Sequence, residues 1–407
     1  MDNTSLNILF FSATVPYPAI DGGRIRVSNL LYHLCKIHKV TFLCFVASQS
    51  DEKGLQYLRD IGAEVIGVKW NYSSPFTNFF LLKSAFKPIT IAKYYSRRMQ
   101  KILNSLLKSR NFDILHFEML HTGQYLQNLK LDQQIKTILD QQNIDSVIWH
   151  RLAQTELSYF RRIAFYWQYR SFLKYETYLC KRFDRCLCVS EEDMKSLIEI
   201  CPDISAEVIP NGVDLDYFMP GEIAEDENQL VFTGSMDWQP NEDAVLFFCQ
   251  HIFPIIKSEL PHIRFFIVGS NPTGRVLDLR NIEGVNVTGL VDDVRPYIAE
   301  SAVYVVPLRI GGGTRLKILQ ALAMKKAIVS TSVGYEGLDL EPDRDLIVSD
   351  EPGDFAARVI QLLRDKEMRK NLGENGRNLI LRKYDWKSIA SKLSSVYEDT
   401  ILDMVHN

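Results

Sequence analysis

The sequence predicts an α/β protein built from two doubly wound domains, and three observations carry that prediction. Short apolar runs rich in β-branched and aromatic residues alternate with helical patterns along both halves of the chain. Many of these runs end in loops that place glycine or proline shortly before the next helix. At 407 residues the chain is longer than one hydrophobic core usually supports, so two domains are expected.

Composition narrows the possible functions. The 47 Lys and Arg residues nearly balance 50 Asp and Glu, for a net charge of −3, so any partner has to be met by local patches and a general affinity for nucleic acid is not expected. The seven cysteines mostly lie in apolar runs, as at Cys44, Cys186 and Cys188, with no C-x-x-C spacing. This pattern implies a reducing, cytoplasmic setting with neither a disulfide framework nor a zinc site. At the start, MDNTSLNILFFSATVPYP has no basic residue before its short apolar run, and Pro16 ends that run, so a first strand is expected in place of a signal peptide. No uncharged apolar run is long enough to span a membrane.

In the first half, strands are expected at residues 8–11, 40–46, 65–68, 114–117, 137–139 and 186–189, with a short one before Ile209. After Phe11 comes a loop with Pro16 and Pro18, then Gly22-Gly23 opening a helix that carries Arg24 and Arg26. Flexible backbone, a helix N-terminus and positive charge together make a possible anion site. Between Glu64 and Asp113 no acidic residue occurs, and residues 69–110 interleave Lys and Arg with Phe76, Phe79, Phe80, Phe86, Tyr94 and Tyr95. Two readings stay open for that region: contact with an anionic membrane surface or a phosphate-bearing acceptor, and an ordinary solvated helix face. The stretch from Arg161 to Arg185, with Phe165, Tyr166, Trp167 and Tyr169, can extend the same face. The strand at 114–117 ends in Glu118 and His121, either of which can orient an acceptor hydroxyl or take its proton, whereas His116 is more often structural.

Ile209-Pro210-Asn211-Gly212-Val213-Asp214 and the polar link that follows set a domain boundary near residue 213. Second-half strands are expected at 230–232, 265–268, 285–287, 303–306, 328–330 and 346–348. Their ends place Gly234, Asn271 and Val291 in loops. The chemistry centres on residues 307–337. There the strand ending at Val306 leads to Gly311-Gly312-Gly313, then Thr314 as a possible cap, and a helix over Thr314–Lys325 with Arg315 and Lys317 in its first turn and Gln320 on the same face.

PLRIGGGTRLKILQALAM and the following IVSTSVGYEGL resemble the donor-nucleotide segment of retaining glycosyltransferases of family 4, and the similarity runs over nearly the whole chain. It implies the GT-B fold: two Rossmann-like domains facing across a cleft, residues 1–212 with 385–407 binding the acceptor and 213–384 binding a nucleotide sugar. The last helix, after Tyr384-Asp385-Trp386, would cross back onto the first domain. Gly22, Gly23, Gly234, Asn271, Val291, Gly311, Gly312, Gly313, Thr314, Arg315, Lys317 and Gln320 would then bind the donor, and Arg24 and Arg26 the acceptor. Glu118, His121, Arg315 and Lys317 would be catalytic. The resemblance further implies sugar transfer from a nucleoside-diphosphate sugar to a carbohydrate or lipid-linked acceptor in polysaccharide or glycolipid synthesis. No cofactor or metal is expected, because Arg315, Lys317 and backbone N–H groups would stabilise the departing diphosphate. The chain departs from the family pattern at Gly312 and Gln320, where two glutamates are usual, and in Asp140-Gln141-Gln142-Asn143, where a histidine is usual. A nucleotide-sugar epimerase, a non-catalytic partner of another transferase and a two-domain binding protein are the alternatives.

Overall fold

The computed structural model describes residues 5–403 apart from 20, 50, 71–87, 157 and 312–314. Expectations for Gly312, Gly313 and Thr314, and for the aromatics of 71–87, lie outside the described residues. The chain forms two compact units, Met1–Pro210 with Trp386–Asn407, and Asn211–Asp385.

The first unit holds a parallel sheet of β1 (Asn7–Phe11), β2 (Lys39–Val46), β3 (Glu64–Lys69), β4 (Ile114–Glu118), β5 (Lys136–Asp140), β6 (Arg185–Cys188) and β7 (Ala206–Val208), in the order β3-β2-β1-β4-β5-β6-β7. The second holds β8 (Asp226–Thr233), β9 (Arg264–Val268), β10 (Val285–Gly289), β11 (Ser301–Val306), β12 (Ala327–Ser330) and β13 (Ile347–Val348), also parallel, in the order β10-β9-β8-β11-β12-β13. Strand order reverses between β1 and β4 in one sheet and between β8 and β11 in the other. Ligands of such sheets bind outside the carboxyl ends of the strands at that reversal. Ser12 and Glu118 occupy that place in the first unit, and Gly234 and Leu308 in the second.

The helices that bear on function are α1 (Gly22–Leu34), α2 (Arg97–Ser109), α3 (Asp145–Thr155), α4 (Tyr159–Cys180), α5 (Gln239–Phe247), α6 (Leu316–Ala323) and α7 (Trp386–Leu402). The α6 helix is shorter than its apolar spacing suggests, because Arg315 is its N-cap and Lys325 turns to φ 60° just beyond it. Ser332–Tyr335 forms a single helical turn whose N-terminal N–H of Gly334 is bonded by the Thr331 side chain. The amphipathic α2 buries Met99, Leu103 and Leu106 and leaves Arg97, Arg98, Lys101 and Lys108 in water. Nearby, Tyr94 stacks on His121 and Tyr95 on Tyr125, so these rings are engaged within the fold.

The C-terminal α7 closes the first unit. Its Trp386, Ile389, Leu393 and Tyr397 join Ile8, Phe10, Leu30 and Leu34 in one apolar cluster. Beneath this layer lies a buried polar chain. Tyr397 and the Nδ1 of His116 are hydrogen-bonded at 2.8 Å, His116 stacks on Phe10, and its Nε2 lies 3.6 Å from Asp140. Arg26 donates from Nε and Nη2 to both Asp140 oxygens, at 3.1 and 3.0 Å, and from Nη1 to the Pro210 carbonyl.

This corrects the expectation that Arg26 binds the acceptor, for its side chain is wholly buried. The helical period explains the error: Arg26, Val27, Leu30, Leu31 and Leu34 all fall on the inward face of α1. Arg24 points outward and pairs with Asp21 at 3.3 Å.

Burial alone would raise the Asp140 carboxyl, but the Arg26 guanidinium and the His116 ring outweigh it and bring its pKa down to about 2. A carboxylate whose folded pKa is depressed stabilises the protein above its unfolded value of about 3.9 and loses that contribution as pH falls. Acid unfolding should therefore draw on this pair between about pH 4 and 2. Asp140→Ala, which strands a buried guanidinium, should cost about 3–5 kcal/mol in urea denaturation at pH 7. A loss below about 1 kcal/mol would mean that Arg26 finds another partner or water.

Candidate functional site

At the strand reversal of the second unit, the backbone itself forms the floor of the site. β8 ends in Gly234 at φ 157° and β9 in Gly269 at φ 152°. A Cβ on Gly269 would lie 1.8 Å from the Gly234 carbonyl oxygen, so only glycine permits this approach. Gly234 N–H donates to the Val268 carbonyl and Met236 N–H to that of Ser270, which locks the two loops together. Asn271 follows in the left-handed region at φ 52°, its amide donating to Asp237 at 3.2 Å. Val291 is partly buried against the core of this unit.

Lys317, in the first turn of α6, extends to this floor. Its ammonium lies 3.8 Å from the centre of the Phe232 ring and 3.0 Å from where a Cβ on Gly234 would stand. It donates to Oδ1 of Asn241 at 2.7 Å, a neutral acceptor, and among the described residues no carboxylate comes within ion-pair distance. Burial, and then the charge of Arg315, push the Lys317 ammonium well below its ordinary pKa. An anion placed here would satisfy the charge that the protein leaves uncompensated.

Arg315 is 9 % exposed, and a Cβ on Gly311 would meet its Nη2 at 2.5 Å. Gly311, at φ 149°, thus lets the guanidinium fold over the loop. Gln320 is half-buried one turn beyond Lys317 and presents a neutral amide where a carboxylate would strengthen a hydrogen bond to a hydroxyl. Sequence reasoning missed Asn241. Its amide nitrogen holds the Ser235 carbonyl at 2.9 Å while its oxygen holds Lys317. The available signal was Pro240 opening α5, which puts the next residue in a first helical turn.

In the first unit, Glu118 ends β4 and is 7 % exposed. Its Oε2 accepts from the Ser12 hydroxyl at 2.6 Å and its Oε1 from the Gln142 amide at 2.7 Å. Glu118 is thereby bonded to the Asp140–Asn143 segment, where a histidine is usual in the family. Gln142 Oε1 in turn lies 3.1 Å from the point a Cβ on Gly23 would occupy. Met119, directly after Glu118, takes φ 67°, a strained conformation for a long side chain. Asp21 caps α1 by accepting from the Arg24 N–H at 3.0 Å, so the end at Gly22 and Gly23 already carries an anion of the protein's own. His121 is not part of the Glu118 set. Burial pushes its pKa down to about 4, so it stays uncharged near neutrality.

Burial raises the Glu118 carboxyl to about 7, against the opposing hydrogen bond from Ser12. A raised carboxyl binds its proton more tightly folded than unfolded, so this group lowers stability as pH climbs from about 4.3 through 7. Glu118→Gln should therefore raise the melting temperature at pH 8 relative to the natural chain, and by much less at pH 5. An equal effect at both values in thermal denaturation would show that the carboxyl does not titrate in that window.

Residues 20–217 match the sequence profile of the family described as Glycosyltransferase Family 4, and residues 227–365 that of Glycosyl transferases group 1. A 44.6 kDa uncharacterised protein of the cps region of Klebsiella pneumoniae is 22% identical over 397 residues, 95% of this chain and 98% of the relative. The Escherichia coli UDP-Gal:alpha-D-GlcNAc-diphosphoundecaprenol alpha-1,3-galactosyltransferase is 25% identical over 248 residues, covering 56% of this chain and 63% of its own. Among solved structures, sucrose-phosphate synthase from Thermosynechococcus elongatus superposes with a TM-score of 0.70 at 16% identity, over 97% of this chain and 98% of that one. Anabaena HepE in complex with UDP and glucose gives 0.68 at 13% identity, over 97% and 100%. Both structural likenesses establish the fold, two Rossmann-like units of the GT-B kind.

Proposed function

Because the chain belongs to the group 1, family 4 glycosyltransferases, we propose that it moves a sugar from a nucleoside-diphosphate donor to a hydroxyl of a glycan or lipid-linked acceptor. The observation that carries this reading is the Lys317 ammonium, set against Gly234 and with a neutral amide as its hydrogen-bond partner among the described residues. A diphosphate resting on the Gly234 and Gly269 loops would meet Lys317 and, beside Gly311, Arg315. Charge grows on that group as the bond to the sugar breaks, and a cation already desolvated stabilises it more than one in water does.

In this reading the acceptor hydroxyl attacks from the face the diphosphate leaves, and the configuration of the sugar is retained. The two fixed cations take the place a divalent metal holds in other transferases. Residues 211–385 bind the donor, and the first unit, through Arg24 and the Glu118, Ser12 and Gln142 group, binds the acceptor. HepE, crystallised with UDP and glucose, and the galactosyltransferase whose name specifies a diphosphoundecaprenol substrate support this choice of donor and acceptor classes. Synthesis of a cell-surface polysaccharide or glycolipid on the cytoplasmic side is the setting that fits. Among the described residues no helix is long and apolar enough to cross a membrane.

Gln320 favours a second reading, a catalytically weak partner of another transferase, since an amide here binds a ribose hydroxyl without charge. Gln320→Glu separates the two readings: a gain of more than about tenfold in donor affinity, or about 1.4 kcal/mol, would support the weak partner.

Transfer from nucleotide sugars should proceed in EDTA, with the product's anomeric coupling in NMR matching that of the donor. Lys317→Met should slow it by about 10²- to 10³-fold, the usual effect of removing one group that stabilises developing charge. An inverted product, loss of activity in EDTA, or a Lys317→Met enzyme within about threefold of the natural one would each contradict the mechanism.

A further inference from the structure

The α4 helix is apolar on two faces, and among the described residues only one of them is covered. Its inner face packs on α3: Phe165 and Phe172 lie against Trp149, and Tyr169 stacks on His150. The opposite side carries Tyr159, Phe160, Ile163, Tyr166 and Trp167, which are 62%, 82%, 51%, 51% and 51% exposed. At about 100° per residue these five side chains, together with Arg170, fall within an arc of about 120°, so they form one continuous stripe. A helix with apolar stripes on two opposite sides requires a second cover.

The charges around the stripe say what that cover is. No acidic residue occurs between Glu156 and Glu176, whereas Arg161, Arg162, Arg170 and Lys174 all lie in that interval. Arg161 pairs with Glu156 at 3.3 Å near the start of the helix and remains 64% exposed. Arg162 stands over the edge of the stripe, 5.9 Å from the ring centre of Tyr159. A second copy of the chain fits this surface poorly, since a two-fold contact would set arginines against arginines. Tyr and Trp with one apolar body and one polar tip, among arginines whose stems are themselves apolar, suit the boundary between headgroups and acyl chains. The basic α2 differs, because its apolar side chains are already spent on the core.

We propose that the outer face of α4, from Tyr159 to Arg170, docks in the plane of a membrane surface rich in anionic headgroups. This inference goes beyond the transferase reading and its test needs neither donor nor acceptor.

The full chain is sedimented with vesicles of phosphatidylcholine alone and of phosphatidylcholine containing phosphatidylglycerol. Binding should appear with the anionic vesicles, weaken with salt, and shift the emission of the chain's tryptophans to the blue, less so in Trp167→Phe. Phe160→Ser with Trp167→Ser should lose at least about tenfold in partitioning, and Arg162→Gln with Arg170→Gln about fivefold per arginine. Circular dichroism and melting temperature of both variants should match the natural chain, since the altered side chains are exposed. Equal binding to neutral vesicles, no binding to anionic ones, or full binding by the Phe160 and Trp167 variant would overturn the proposal. So would light scattering showing that this variant converts a dimer to a monomer, which would assign the stripe to a second copy.

Discussion

A single desolvated ammonium organises the second unit. Lys317 is held between the Phe232 ring and the Gly234 backbone, and among the described residues its hydrogen-bond acceptor is the amide oxygen of Asn241. Such a group is costly in an apolar setting unless something anionic completes it. The rest of the local structure serves to keep it there. The glycine-to-glycine contact of the β8 and β9 loops removes the side chains that would fill the space, and Asn241 ties the Ser235 carbonyl to the same lysine. Gly311 allows Arg315 to come alongside, which lowers the Lys317 pKa further and concentrates positive charge at the carboxyl end of the sheet.

The first unit shows the opposite treatment of charge. Arg26 and Asp140 are wholly buried, yet each meets the other through two hydrogen bonds, and His116 and Tyr397 extend the chain. The guanidinium and the carboxylate satisfy each other, and the group ties α1, β4, β5 and the C-terminal helix into one body. Glu118, at the end of the adjacent strand, sits between the two extremes. Its partners, Ser12 and Gln142, are neutral donors that do not offset its burial, so its carboxyl is close to taking up a proton at neutral pH. Compensated charge therefore marks scaffold in this protein, and partly compensated charge marks the places where chemistry is expected.

Much of this was legible in the sequence. Most strands appear as apolar runs rich in β-branched and aromatic residues, because a parallel sheet covered on both faces needs apolar side chains in both directions; β6, RCLC, and β7, AEV, do not show it. Lys317 and the glycine loops were visible from their order after a strand. Arg26 was misjudged, since charge and nearness to a glycine loop do not reveal which face of a helix turns inward. Pro240 marks only the helical turn that holds Asn241, whose role depends on a lysine 76 residues further on. The α4 stripe was only partly visible, for aromatic residues at helical spacing look alike whether a neighbouring helix covers them or nothing does.

The most direct test of the central claim is a thermal-shift series on the whole protein with UDP, GDP, ADP and dTDP and the matching monophosphates, without added metal. A ligand that binds only the folded state raises the melting temperature in proportion to the logarithm of its concentration over its dissociation constant. If the Lys317 ammonium awaits a diphosphate, one diphosphate will raise the melting temperature, its monophosphate will do so far less, and Lys317→Met will abolish the difference. A diphosphate shift that survives unchanged in Lys317→Met, or no shift with any nucleotide, would contradict the claim that this lysine defines the site.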